Sequence, residues 1–131
     1  MMEAASDPFW DALEDDRFLL PSCEDCGEAF FPPSRACPHC HATDIEWLES
    51  EGVGTLYAFT RQHRTAPGVP SPNVLGIVEL EDGPRLLAQF ASEYDDLEIG
   101  ATVTLQTREY AGTVDRGRLE GRPFFEARLR D

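Results

Sequence analysis

Every cysteine of this 131-residue chain falls in one stretch, Cys23-Glu24-Asp25-Cys26-Gly27 followed by Cys37-Pro38-His39-Cys40, two Cys-x-x-Cys pairs separated by ten residues. Thiolates at positions i and i+3 of a tight turn point into one pocket, and two such turns facing each other supply four soft ligands in a tetrahedron. The spacing therefore predicts a four-thiolate metal site at Cys23, Cys26, Cys37 and Cys40, with Zn2+ as the default ion and rubredoxin-like iron as the minority alternative. Gly27 suits the left-handed backbone of a metal knuckle, and Pro38 stiffens the second turn. The competing reading is two disulfides. It needs an oxidising compartment, and an acidic chain with no cleavable signal at its start points instead to the cytoplasm. Four thiols used as ligands leave no cysteine to act as a nucleophile.

A ribbon of about 30 residues buries little apolar surface, so its metal must supply much of the folding free energy. The rest of the chain is long enough for one small domain. Charge is unevenly spread over the two parts. The formal net charge is −14, and residues 1–52 carry 13 acids against Arg17 and Arg35, a net of −11, while residues 53–131 carry 12 acids against nine arginines, a net of −3. Such a surface repels phosphodiester backbones and anionic membranes. The chain has no lysine, and acid-rich composition with arginine as its only strong base fits a salt-adapted or GC-rich source better than a dedicated acidic binding face. No apolar run approaches the roughly 20 residues of a membrane span.

Ser6-Asp7-Pro8 predicts a helix start, with Asp7 as N-cap and Pro8 at the first helical position. In the short helix that follows, Phe9, Trp10 and Leu13 share one side while Asp11, Glu14, Asp15 and Asp16 face water. A helix so short needs a surface to pack on, and this chain's own core and a partner weigh equally as that surface. Phe18-Leu19-Leu20 is expected as a strand into the first knuckle, Ala29-Phe30-Phe31 as the strand returning from it, and Ile45 to Leu48 as a third ribbon strand. His39 and His41, on either side of Cys40, are expected to face solvent. Beyond Gly54 the pattern turns all-β, with strands over Thr55–Thr60, Val74–Leu80, Arg85–Phe90, Ala101–Thr107 and Phe124–Leu129. Five short strands with glycine-containing connections predict a Greek-key barrel of the OB type; a small sandwich or an SH3-like barrel fits the same pattern. The fold class is thus mainly β: an N-terminal helical docking segment (1–20), a rubredoxin-like zinc ribbon (21–52) and a C-terminal five-stranded OB-fold barrel (53–131). Two connections are long. Residues 61–73 hold Arg61, His63 and Arg64 in a proline-rich loop, and residues 108–122 hold Tyr110, Asp115-Arg116-Gly117 and Gly121 with Arg108, Arg118 and Arg122. Long ordered loops on a rigid barrel are where binding tends to lie.

The order Cys23-x-x-Cys26-Gly27, Pro32-Pro33-x-Arg35-x-Cys37-Pro38-x-Cys40, Trp47, then Gly52-x-Gly54-x-x-Tyr57-x-x-Thr60 resembles the zinc-ribbon plus OB-fold acyl-CoA-associated family. That family was long catalogued as a domain of unknown function and labelled nucleic-acid-binding by fold analogy. Val78, Leu80, the Asp82-Gly83 turn and Leu97-x-x-Gly100-x-x-Val103 extend the resemblance over nearly the whole chain. One departure is His41, where many knuckles carry a second glycine. The resemblance implies a non-catalytic accessory subunit of a thiolase-superfamily enzyme: an acetyl-CoA acetyltransferase, a hydroxymethylglutaryl-CoA synthase, or a thiolase or aldolase acting on sterol side chains. It would support the catalytic subunit in a hetero-oligomer and help form the CoA entrance.

The residues agree with this, since no nucleophile elbow or phosphate loop is present and His63 is the one histidine away from the metal site. Arg61 and Arg64 have the fork geometry that matches CoA phosphates, with solvated loop charges as the plainer alternative. Phe9, Trp10 and Leu13 of the helix, with Phe30, Phe31 and Trp47 on the ribbon rim, are the expected docking surface. Single-stranded nucleic-acid binding is the alternative function, because ribbons and OB barrels both serve it. A half-chain at −11 with no lysine argues against it. A rubredoxin-like electron carrier is the third reading.

Overall fold

The computed structural model describes residues 6–69, 71–109 and 121–130. Tyr110, Asp115, Arg116, Gly117 and Arg118 of the second long loop lie outside these described residues. Helix α1 spans Asp7–Leu13. Its cap differs from the expected one: Ser6, not Asp7, holds the N-cap, and its backbone carbonyl accepts from the amides of Phe9 and Trp10 at 3.0 and 3.3 Å. Asp7 sits in the first turn instead, where its charge complements the positive end of the helix. Asp16 ends the helix in a left-handed conformation (φ 59). The amides of Asp16 and Arg17 return to the carbonyls of Leu13 and Ala12, each at 3.0 Å, which satisfies helix-end acceptors in the Schellman manner.

Strands β1 (Phe18–Cys23) and β2 (Ile45–Ser50) pair antiparallel as the ribbon sheet, with Phe18 opposite Ser50 and Cys23 opposite Ile45. The expected return strand Ala29-Phe30-Phe31 is absent. One bridge joins Ser22 to Ala29, and the Phe30 amide donates to the Pro21 carbonyl at 3.0 Å. Pro32 and Pro33 then offer no amide with which to extend the ladder.

Gly52, at φ 72, turns the chain directly into β3 (Val53–Gln62), which is longer than its pattern suggested because Arg61 and Gln62 still pair with Val74 and Asn73. Then follow β4 (Asn73–Leu80), β5 (Arg85–Gln89), a 3-10 turn at Tyr94–Asp96, β6 (Thr102–Arg108) and β7 (Phe124–Leu129). The sheet runs in the order β5-β4-β3-β6-β7. A parallel bridge between Phe90 and Ala127 and the Ala91 amide on the Ala127 carbonyl (2.9 Å) close its two edges. A five-stranded barrel closed by one parallel seam is an OB fold. Leu56, Val78, Val103 and Ala127 lie at its centre without exposed surface. Gly54 has no room for a side chain, since an added Cβ would lie 2.5 Å from the Glu79 carbonyl oxygen and 2.7 Å from Val78.

Phe9, Leu13 and Phe30 correct the expected docking surface. Phe9 and Leu13 are buried in the barrel-side core, and Phe30 is buried in a small ribbon core with Cys23 and Cys37. Phe9 sits edge-on to Phe31 of the ribbon at 5.4 Å and to Phe125 of β7 at 5.7 Å, while Trp10 stacks on Phe124 at 5.9 Å. Trp10, Phe31 and Trp47 are half-buried against the same core. Arg122 adds a polar clasp by donating to Asp11 and, at 3.2 Å, to Glu14. Apolar area used up inside the chain is not available to a partner, so the helix is a junction between ribbon and barrel. No helix among the described residues is long and apolar enough to cross a membrane.

Candidate metal centre and its surroundings

The two knuckles have the same backbone construction. In the first, the Gly27 amide donates to the Cys23 carbonyl (2.9 Å) and the Cys23 amide to the Glu28 carbonyl (3.0 Å). In the second, the His41 amide donates to the Cys37 carbonyl and the Cys37 amide to the Ala42 carbonyl, both at 2.8 Å. Gly27 and His41 therefore occupy equivalent positions, and both have left-handed backbone, at φ 77 and 66. This is the geometric meaning of the histidine that replaces a second glycine. The leading cysteine of each pair, Cys23 and Cys37, is buried, while Cys26 and Cys40 are exposed.

The four Sγ atoms all lie within 4.8 Å of one another. Across the knuckles, Cys23 and Cys40 are 3.5 Å apart and Cys26 and Cys37 are 3.7 Å apart. A tetrahedron of thiolates about 2.3 Å from one ion has edges of about 3.8 Å, whereas a disulfide would draw two sulfurs to about 2.05 Å. The donor set fits a metal ion and not a pair of disulfides. The amides of Cys26 and His39 approach the sulfurs of Cys23 and Cys37 at 3.5 and 3.3 Å. Desolvation pushes the Cys37 thiol up, but the amides of Cys40 and His39 and its sulfur neighbours outweigh this and bring it down to about 7. For Cys26 the bond to the Glu28 backbone lowers the value, yet desolvation and the three neighbouring sulfurs push it up to about 12. Unequal thiols crowded together are what a central cation resolves, because it lets all four ionise at once.

Carboxylates gather beside the knuckles. Glu24 is held above the ordinary glutamate value, first by its hydrogen bond to Glu46, then by desolvation and by repulsion from Glu46, Asp44 and Asp25. His39 and His41 are exposed and stand outside the thiol cluster. Arg61, His63 and Arg64 are exposed at the end of β3 and in the loop behind it. That loop is braced from within by Ser71 Oγ donating to the His63 carbonyl (2.6 Å) and Thr65 Oγ1 to the Val69 carbonyl (2.8 Å). The Arg61 guanidinium lies 4.6 Å above the Tyr94 ring.

One surface escaped sequence reasoning. Leu75 and Ile77 of β4 and Leu87 of β5 point away from the barrel interior, and Leu87 is 62% exposed. The signal was present in Val74-Leu75-Gly76-Ile77-Val78 and Leu86-Leu87-Ala88, which are apolar without alternation. A strand of a solvated barrel alternates, so an unbroken run puts apolar side chains on both of its faces.

Two family models divide the chain between them: the ChsH2 rubredoxin-like zinc ribbon domain matches residues 10–46 and the ChsH2 C-terminal OB-fold domain residues 47–108. A DUF35 domain-containing scaffold protein of Methanocaldococcus jannaschii is 32% identical over 100 residues, 72% of this chain and 70% of that protein. The chain belongs to the DUF35 family. Over 98% of its length this DUF35 protein superposes on 96% of a chain in the Ltp2-ChsH2(DUF35) aldolase structure, with a TM-score of 0.76 and 25% identity. It is 33% identical over 104 residues to a probable enoyl-CoA hydratase alpha subunit of Thermomonospora curvata, but spans only 33% of that protein's length. It is also 25% identical over 83 residues to the benzoylsuccinyl-CoA thiolase subunit BbsA of Geobacter metallireducens, covering 63% of this chain and 56% of that one.

Proposed function

We propose that this DUF35 protein is a non-catalytic accessory subunit that supports a thiolase-superfamily acyl-CoA enzyme and helps shape its CoA entrance. The observation that carries the reading is the near end-to-end match, 98% of this chain on 96% of the other, to a chain of an assembly named as an Ltp2-ChsH2(DUF35) aldolase. Likeness to a named thiolase subunit points to the same class of partner. The chemistry of the chain is in keeping with it, because its four thiols converge on one cluster and serve structure. Cys23, Cys26, Cys37 and Cys40 would hold Zn2+. That ion is redox-inert and would cross-link the two knuckles on either side of Phe30 and Phe31. Arg61, His63 and Arg64 would lie along the CoA phosphates, where guanidinium forks match phosphate oxygens.

Assaying the purified full chain with acyl-CoA substrates for condensation, thiolysis and retro-aldol cleavage tests its non-catalytic standing. The expected result is no turnover by the chain alone. Turnover that survives removal of every other protein would make the chain an enzyme in its own right and end this reading.

A further inference from the structure

The outer face of β3, β4 and β5 differs from the remaining surface in both polarity and charge. Ala58, Leu75, Ile77 and Leu87 line a shallow cavity of about 220 Å³. A second hollow of about 190 Å³ shares Leu75 and Leu87 and continues to Phe124 beside the β5–β7 seam. Tyr57, 49% exposed, and Leu87, 62% exposed, stand among the most exposed large apolar side chains. A contiguous apolar strip of this kind marks an interaction surface more often than an isolated exposed leucine does.

Charge narrows the occupant. The strip has arginine at both ends: Arg61 pairs in register with Val74 at one end of β4, and Arg85 with Glu79 at the other. Both guanidiniums lie on rings, Arg61 on Tyr94 at 4.6 Å and Arg85 on Tyr57 at 4.0 Å. Glu79, the one carboxylate these strands turn outward beside the strip, is engaged by Arg85 at 2.8 Å; Asp95 and Asp96 of the neighbouring turn are exposed to solvent. A second copy of the chain fits badly, since each carries −14 and face-to-face pairing would bring like charge together. We infer that this face seats the catalytic subunit of the proposed complex through an apolar projection with a carboxylate placed to meet Arg61, since Arg85 at the other end is already engaged by Glu79. The inference rests on the function proposed above and adds to it the surface and the chemistry of its partner.

The test is affinity capture of the tagged full chain from its native source, with the companion identified by mass spectrometry. Wild type is compared with Leu87→Asp, Ile77→Asp and, as a charge control on the ribbon, Ser34→Asp. Metal content and far-UV circular dichroism confirm that each variant is folded. Wild type and the control should recover a thiolase-superfamily subunit equally, and the two strip variants should recover at least about tenfold less, as for a buried anchor position. Equal recovery by all four proteins overturns this docking face and leaves the accessory function standing. Failure of wild type to recover any such subunit overturns both. A wild-type homodimer that Leu87→Asp splits, or nucleic acid that Leu87→Asp releases, would assign the face to another occupant and overturn the inference.

Discussion

His41 holds a left-handed backbone at the place where Gly27 sits in the other knuckle. A side chain there costs about 1–2 kcal/mol in backbone strain, partly offset because glycine loses more freedom on folding. Replacing His41 by Gly should stabilise the metal-loaded protein by about 0.5–1 kcal/mol. Gly27→Ala should cost about 1 kcal/mol, all of it conformational, because nothing lies within 4 Å of the added Cβ. Urea midpoints measured with metal present check both, and a destabilised His41→Gly protein would mean that the imidazole makes a stabilising contact. At this scale the sequence was informative about the ligands, since ligand chemistry admits few residue types and the spacing dictates the turn. It was less so about His41, whose type is compatible with solvent, with a ligand and with a strained turn alike.

Helix α1 shows what local pattern leaves open. Its periodicity distinguishes Phe9 and Leu13 from the acidic side, yet cannot say what covers them, because Phe124 and Phe125 come from the far end of the chain. Phe9→Ala removes a ring that meets Trp10, Phe31 and Phe125 and should cost about 3–5 kcal/mol, read from chemical denaturation. A cost below about 1 kcal/mol would mean that the helix is not part of the fold and is available to a partner after all. The five barrel strands were legible from β-branched and aromatic runs between turn residues: β7 matched, β3 and β4 outran their pattern by one or two residues where pairing outlasted propensity, β5 stopped one residue short at Gln89, and β6 lay one residue later than expected. The absent Ala29–Phe31 strand failed for a local reason, the two prolines that follow it. The outward Leu75, Ile77 and Leu87 of β4 and β5 were passed over because strand propensity scores an apolar residue alike on either face, and only pairing fixes which face turns outward.

Across the whole molecule the formal charge is −14, and its crowding is felt most where Glu24 meets Glu46, Asp44 and Asp25. Glu24 is held above its ordinary value of 4.5, so the folded state binds that proton more tightly than the unfolded chain does. The resulting contribution is fully present at low pH and is lost as pH rises through the folded value. Glu24→Gln, which fixes the neutral form, should therefore raise the melting temperature at pH 7 and low salt. The gain should shrink at high salt and disappear below pH 4.5; an equal gain under all conditions would trace it to something other than charge. The ribbon-plus-barrel architecture was readable because metal spacing and strand pattern are local signals, whereas the proposed partner and the face that would meet it depend on a second chain whose sequence is not in this one. Native mass spectrometry of the tagged chain purified from its source tests the central claim most directly. The account predicts a hetero-oligomer of this chain, carrying one zinc ion per copy, with a thiolase-superfamily subunit. A chain recovered alone, or bound to nucleic acid, would contradict it.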